Sequence, residues 1–95
     1  MSAYIIVDIT VKDPARYERY KQLAQESIAA HGGRYVVRGG KVETLEGAWP
    51  LNRLVVLQFD SVERARAWYD SSEYAEGKAL RNEVADARMI LVEGL

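Results

Sequence analysis

Gly32-Gly33-Arg34-Tyr35-Val36-Val37-Arg38-Gly39-Gly40 is the stretch on which the fold turns. Two glycine pairs bracket a short β-type run that ends in an arginine. Glycine takes the left-handed conformation that closes a helix, so Gly32-Gly33 ends the helical pattern before it. Gly39-Gly40 permits a bend in the run that follows. A strand-helix unit lies upstream, and a loop and a strand-helix-strand unit lie downstream.

On the N-terminal side, Ala3 to Val11 alternates. Ala3, Ile5, Val7, Ile9 and Val11 point one way, and Tyr4, Ile6, Asp8 and Thr10 the other. With β-branched residues dominating, this reads as a strand. Asp13-Pro14 then starts a helix: the Asp side chain accepts a free backbone N–H, and Pro at the first helical position loses nothing. Tyr17, Tyr20, Ala24 and Ile28, with Leu23 alongside, form one apolar stripe at helical spacing.

On the C-terminal side, Arg34 to Arg38 is the second strand, and Val42 to Leu45 reads as an arm continuing it. Glu46-Gly47-Ala48-Trp49-Pro50 is a loop in which Pro50 holds Trp49 extended. Arg53 to Phe59 is the third strand. Ser61 caps the second helix and Glu63 favours its dipole. Val62, Ala65, Trp68 and Tyr69 form the inner face of that helix. Asp70-Ser71-Ser72 interrupts it, and Ser71 or Ser72 caps a further helix to about Val84, weakened by Gly77. Ala87 to Glu93 is the last strand. The order β-α-β-β-α-β with right-handed crossovers predicts an α+β fold: a four-stranded antiparallel sheet with the helices on one face, the ferredoxin-like arrangement.

Residues 1–95 read as a single domain, since nothing resembles a linker. The 13 basic and 14 acidic residues are interspersed and leave a formal charge of −1, which gives no basic face for nucleic acid. With no cysteine, disulfides, thiolate zinc sites, iron–sulfur clusters and cysteine nucleophiles are excluded. No segment has the apolar length of a membrane span, and no basic, apolar leader opens the chain. The cytoplasm is therefore the expected location. Neither glycine pair has phosphate-loop spacing, and no serine sits in a nucleophile elbow.

A sheet with helices on one face needs a polar second face if that face meets water. Here the second-face residues include Ile6, Val36, Leu54 and Val56 beside Asp8, Arg38 and Gln58. Such a patch exceeds what soluble monomers leave bare. A homodimer packed sheet to sheet about a two-fold axis is the expected remedy.

The glycine-flanked stretch, the Glu46-Gly47-Ala48-Trp49-Pro50 loop followed by Arg53, and Phe59-Asp60-Ser61 leading to Ala67-Trp68-Tyr69-Asp70-Ser71-Ser72-Glu73-Tyr74 together resemble the domain of unknown function 1330 family. Asp13-Pro14 with Tyr17 and Tyr20 extends the resemblance over nearly the whole chain. The family pattern commonly has proline where this chain has Ser72, a departure in local turn chemistry. The resemblance implies a dimeric α+β barrel, a superfamily that includes cofactor-independent monooxygenases of aromatic polyketides, small isomerases and haem-dependent enzymes. Members of this particular family generally have no assigned reaction.

His31, the only histidine, falls at the end of the first helix, where positive charge is favoured. It is either a general base or haem ligand, or simply a helix-end residue. One histidine without cysteine or paired carboxylates leaves no metal site, and no cofactor is expected. Arg38 and Arg53 lie on neighbouring strand patterns and suit an anion, or else pair with Asp8, Glu43 or Glu46. Asp8, a carboxylate among aliphatics, needs a partner, and Arg38 or Arg53 is the natural one. Unpaired, Asp8 would become an acid–base candidate. Trp49, Trp68, Tyr69 and Tyr20 either fill the core or line a pocket. The expected pocket is a cleft between sheet and helices edged by Tyr20, Trp68 and Tyr69; a ligand's anion would meet the Arg38, Arg53 and Asp8 group.

Three functions follow. One is a dimer binding a small aromatic or anionic ligand. The second is a cofactor-independent monooxygenase or isomerase of an aromatic substrate, with Asp8 or His31 as base and Arg38 stabilising the anion. The third is a structural dimer with no ligand.

Overall fold

The alternation in the first strand decides which side of the sheet is covered. In the computed structural model, which describes all 95 residues, β1 (Ala3–Val11) buries Ala3, Ile5, Val7 and Ile9 while the intervening residues stay more open. The remaining elements are α1 (Pro14–Ala30), β2 (Arg34–Arg38), β3 (Leu54–Phe59), α2 (Val62–Tyr69), α3 (Ser72–Val84) and β4 (Ala85–Glu93). The strands form one antiparallel sheet in the order β2-β3-β1-β4. Val55, Leu57 and Phe59 of β3 join the buried residues of β1 beneath the helices. No helix is long and apolar enough to cross a membrane.

The caps act where the side-chain chemistry puts them. Asp13 Oδ1 accepts from Arg16 N at 3.2 Å, Ser61 Oγ from Arg64 N at 3.1 Å, and Ser71 Oγ from Tyr74 N at 3.1 Å. Ser71, not Ser72, is thus the cap that starts α3. The interruption at Asp70 divides the second helical region, so three helices cover the sheet rather than two. At the turn from α1 into β2, a Cβ on Gly33 would lie 2.5 Å from the Phe59 ring; only glycine lets the chain pass that close.

Three boundaries and one register differ from the sequence reading, the first being β3, which starts at Leu54 rather than Arg53. Residues 42–45 form no strand, and β4 begins at Ala85, two residues before the expected Ala87. In β2, Tyr35 pairs with Leu57, but Val37 pairs with Val56 and Arg38 with Val55. The extra residue is a β-bulge at Val36, which reverses the facing of everything after it. Arg38 therefore lies on the helix side of the sheet, not on the open side where strict alternation puts it.

Trp68 anchors the core. Its ring lies 4.2 Å from Tyr74 and 5.7 Å from Phe59, centroid to centroid. Its indole N–H donates to Ser27 Oγ at 2.9 Å, and the Ser27 hydroxyl donates to Ala24 O at 2.8 Å. Both side chains are buried, so the pair satisfies two polar groups that water cannot reach.

The opposite face has no helix. Ile6, Leu54 and Val56 form its centre, flanked by exposed Val36, Ile90 and Val92. Polar groups border this apolar centre at both ends. Arg34 donates to Gln58 Oε1 at one, and Arg88 Nη2 donates to Asp8 Oδ2 at 2.7 Å at the other.

Ser27→Ala leaves the Trp68 N–H buried without an acceptor. We expect it to cost about 1–3 kcal/mol of stability, read from urea unfolding midpoints. An unchanged midpoint would show that Trp68 does not depend on this bond.

Candidate functional site

The bulge in β2 has a chemical consequence. It turns Arg38 to the side where Arg53 lies, and both line one cleft between α1 and the covered face of the sheet. The Arg38 guanidinium stacks 4.2 Å from the centroid of the Tyr35 ring. Gly39, at φ +71°, rests on Arg53; a Cβ there would lie 2.3 Å from Arg53 Nη1. Arg53 O accepts from Ile9 N at 2.9 Å, which fixes its backbone to β1. Arg53 Nε is buried without an acceptor, and neither arginine forms an ion pair. Lys21 joins them at the rim, with its ammonium 2.6 Å from Glu18.

Behind the mouth, Tyr17, Tyr20, Trp68 and the aliphatic side chains of β1 and β3 line the cleft, and no carboxylate does. Its volume is about 30 Å³, so the interior is nearly filled. Tyr20 and Tyr74 share a hydrogen bond of 2.9 Å between their hydroxyls, and buried Arg81 donates from Nη1 to the Tyr74 hydroxyl at 2.8 Å. Burial pushes the Tyr20, Tyr74 and Tyr35 phenols above their ordinary pKa. The phenols therefore stay protonated at neutral pH, and Tyr20 and Tyr74 serve as hydrogen-bond partners, not bases.

The sequence-predicted residues divide among several places. Tyr20, Arg38, Arg53 and Trp68 line the same cleft. Tyr69 does not; it lines a 260 Å³ hollow with Arg66, Met89 and Leu91 beside α2 and β4. Trp49 is 72 % exposed, in the segment before β3, and borders a 560 Å³ groove on the open face with Leu45, Ile6, Val56 and Ile90. His31 Nε2 lies 2.6 Å from Glu73 Oε1, linking the end of α1 to the start of α3. That contact holds the Glu73 carboxyl below its ordinary pKa.

Asp8 has a different partner from the expected Arg38 or Arg53. The β1–β4 register sets it opposite Arg88, and Asn52 N donates to its other oxygen at 3.0 Å. Both bonds hold its carboxyl below the usual carboxylate range, Arg88 contributing most. Asp8 thus lies on the open face, across the sheet from the cleft. The sequence reading passed over Arg81 and Lys21. Arg81 was accessible to it: the buried stripe of α3 runs Tyr74, Gly77, Arg81, Val84, a helical spacing in which position 81 is internal.

A four-stranded antiparallel sheet in this order, helices on one side, makes this a ferredoxin-like α+β protein. The profile of the domain of unknown function DUF1330 matches residues 2–95, and the chain belongs to that family. Among curated proteins none matches the sequence. A protein of unknown function from Rhodopseudomonas palustris has a similar structure, with TM-score 0.77, 17% identity, and coverage of 99% of this chain and 82% of that one. SnoaB, a cofactor-independent oxygenase from Streptomyces nogalater, superposes with TM-score 0.69 at 12% identity, covering 99% and 93%. A dimeric ferredoxin-like protein of unknown function from Thermobifida fusca gives 0.66 at 16% identity, covering 99% and 92%. At these identities the likeness is one of fold.

For Asp8 the lowered pKa fixes the sign of a pH effect. A carboxyl depressed in the folded state contributes stability above its unfolded pKa and loses it as pH falls through the folded one. We expect Asp8→Asn to be less stable than wild type at neutral pH, and the gap to close as the pH falls below the ordinary carboxylate range, followed by thermal melts. A gap that persists at low pH would mean the pair with Arg88 is not its source.

Proposed function

We propose that this protein is a homodimer, joined through the open faces of its sheets, that binds a small aromatic or anionic ligand at the cleft mouth. The observation that carries the ligand reading is the placement of Arg38 and Arg53 together, with no carboxylate facing either. Arg53 is half-buried beside the exposed Arg38; a buried guanidinium normally has a counter-charge, and Arg53 Nε lacks even an acceptor. An anionic group between the two would gain charge-assisted, potentially bidentate hydrogen bonds. Because the interior is nearly filled, the ring of such a ligand lies at the mouth, against Tyr35 and the aliphatic stem of Lys21.

The homodimer rests on the uncovered aliphatic face. An apolar centre with polar ends is the anatomy of a protein interface. The Thermobifida fusca neighbour is dimeric, which agrees with it.

The alternative of a cofactor-independent monooxygenase or isomerase asks for a base at the ligand. Asp8 is across the sheet, bonded to Arg88, and His31 is held by Glu73. The cleft itself offers cations and protonated phenols, which favour binding over proton abstraction. The structural reading without a ligand leaves Arg53 unexplained.

The ligand reading is tested by thermal shift with 2-naphthoate, 4-hydroxybenzoate and neutral 2-naphthalenemethanol, since a ligand that binds the native state raises its melting temperature. We expect the acids to stabilise and the alcohol not to. Arg53→Gln and Arg38→Gln should each weaken acid binding by about tenfold, the value of one charge-assisted bond. No shift with any acid, or a shift indifferent to both substitutions, would contradict it.

A further inference from the structure

Residues 40–52 carry no helix or strand, and nearly all are exposed. Connections of this length without structure of their own are uncommon in compact domains and are usually functional. This one is rich in bare apolar surface. Leu45 is 89 % exposed, and Val42 is exposed beside Trp49. The segment walls the groove whose floor is Ile6, Leu54, Val56 and Ile90 of the open face.

Its two roots are the two cleft arginines. Arg38 and Gly39 precede it, and Arg53 follows it. Gly39 N donates to Leu54 O at 2.8 Å, closing the base, while Gly39 rests on the Arg53 guanidinium. Asn52, the last residue of the segment, is tied to β1 through Asp8 Oδ1 and, by its side chain, Thr10 Oγ1 at 2.7 Å. The segment thus starts and ends at the anion-binding mouth on one side of the sheet and exposes its apolar residues along the other.

We infer that residues 40–52 form an arm that grips the second copy of the chain, and that this grip sets the Arg38–Arg53 pair, so that dimerisation and ligand binding are coupled. The inference rests on the dimer and the ligand site proposed above. The occupant of the groove is a second copy because the groove floor is continuous with the open face, and a molecule 36 × 36 × 16 Å in extent presents a face ample for the roughly 800 Å² per partner of a stable interface. Trp49 has the size and amphipathic ring of an interface anchor. Held by the partner, the arm fixes the Gly39 contact beneath which Arg53 lies. By linkage, a ligand that favours the fixed pair tightens the dimer by the same factor that the dimer tightens the ligand.

The test measures the dimer dissociation constant by sedimentation equilibrium and 2-naphthoate affinity by calorimetry, for wild type and for Leu45→Ser/Trp49→Ser. Both side chains are exposed in the subunit, so its folding is not at stake, and circular dichroism checks this. We expect the double variant to weaken the dimer at least tenfold and to weaken naphthoate binding. We also expect naphthoate to tighten the wild-type dimer. A weakened dimer with unchanged naphthoate affinity would overturn the coupling and leave the ligand site standing. An unchanged dimer would overturn the arm's role, and a wild type that binds no naphthoate would overturn both the ligand site and the coupling. A wild type that stays monomeric, whatever else occupies the groove, would overturn the arm's partner.

Discussion

Three of the four strands carry aliphatic side chains on both faces, and helices exist for only one of them. Ile5, Val7, Leu57 and Phe59 are covered by α1, α2 and α3. Ile6, Leu54, Val56 and Ile90 are not. Because apolar area removed from water contributes roughly 25 cal/mol per Å², a face of this kind is a large unspent driving force. In a chain of 95 residues, whose core is necessarily small, that force bears on stability as well as on assembly. The dimer proposed here follows from this imbalance, and the arm along the same face extends it.

Charge is sorted by the sheet with similar consequence. On the open side, Arg88 is paired with Asp8, and Arg34 donates to the neutral Gln58. On the covered side, Arg38 and Arg53 stand beside phenols that burial keeps neutral. Arg81, buried deeper, bonds Tyr74 and Asn82 but no carboxylate. Guanidinium without carboxylate around the cleft supports the anionic ligand proposed for it. It is a poor arrangement for removing a proton, which is why binding is the stronger reading for this fold member.

Much of the architecture was legible because it is local. The alternation of β1, the Asp13, Ser61 and Ser71 caps, and the glycine turn after α1 each follow from one residue's stereochemistry or hydrogen-bonding capacity. The site was legible only in part. Tyr20, Arg38, Arg53 and Trp68 were chosen by residue type and do share a cleft, but the reason Arg38 reaches it is the bulge at Val36. A bulge depends on pairing with β3, and Val-Val in a strand gives no local sign of it. The partner of Asp8 was missed for the same reason: β1–β4 register selects Arg88 over the two arginines nearer in sequence to each other. Trp49 and Tyr69 were grouped with the cleft by composition, yet the sheet and α2 separate them from it.

The most direct test of the uncovered face is to place a charge at its centre. Val56 lies on the open side of β3, opposite Ile6, away from the core and the cleft. Sedimentation equilibrium at micromolar concentration should give wild type twice the 10.7 kDa subunit mass. Val56→Arg, folded by circular dichroism, should sediment as the single subunit, because a sheet-to-sheet interface cannot bury an unpaired guanidinium. A wild-type monomer, or a Val56→Arg protein that remains dimeric, would contradict the account.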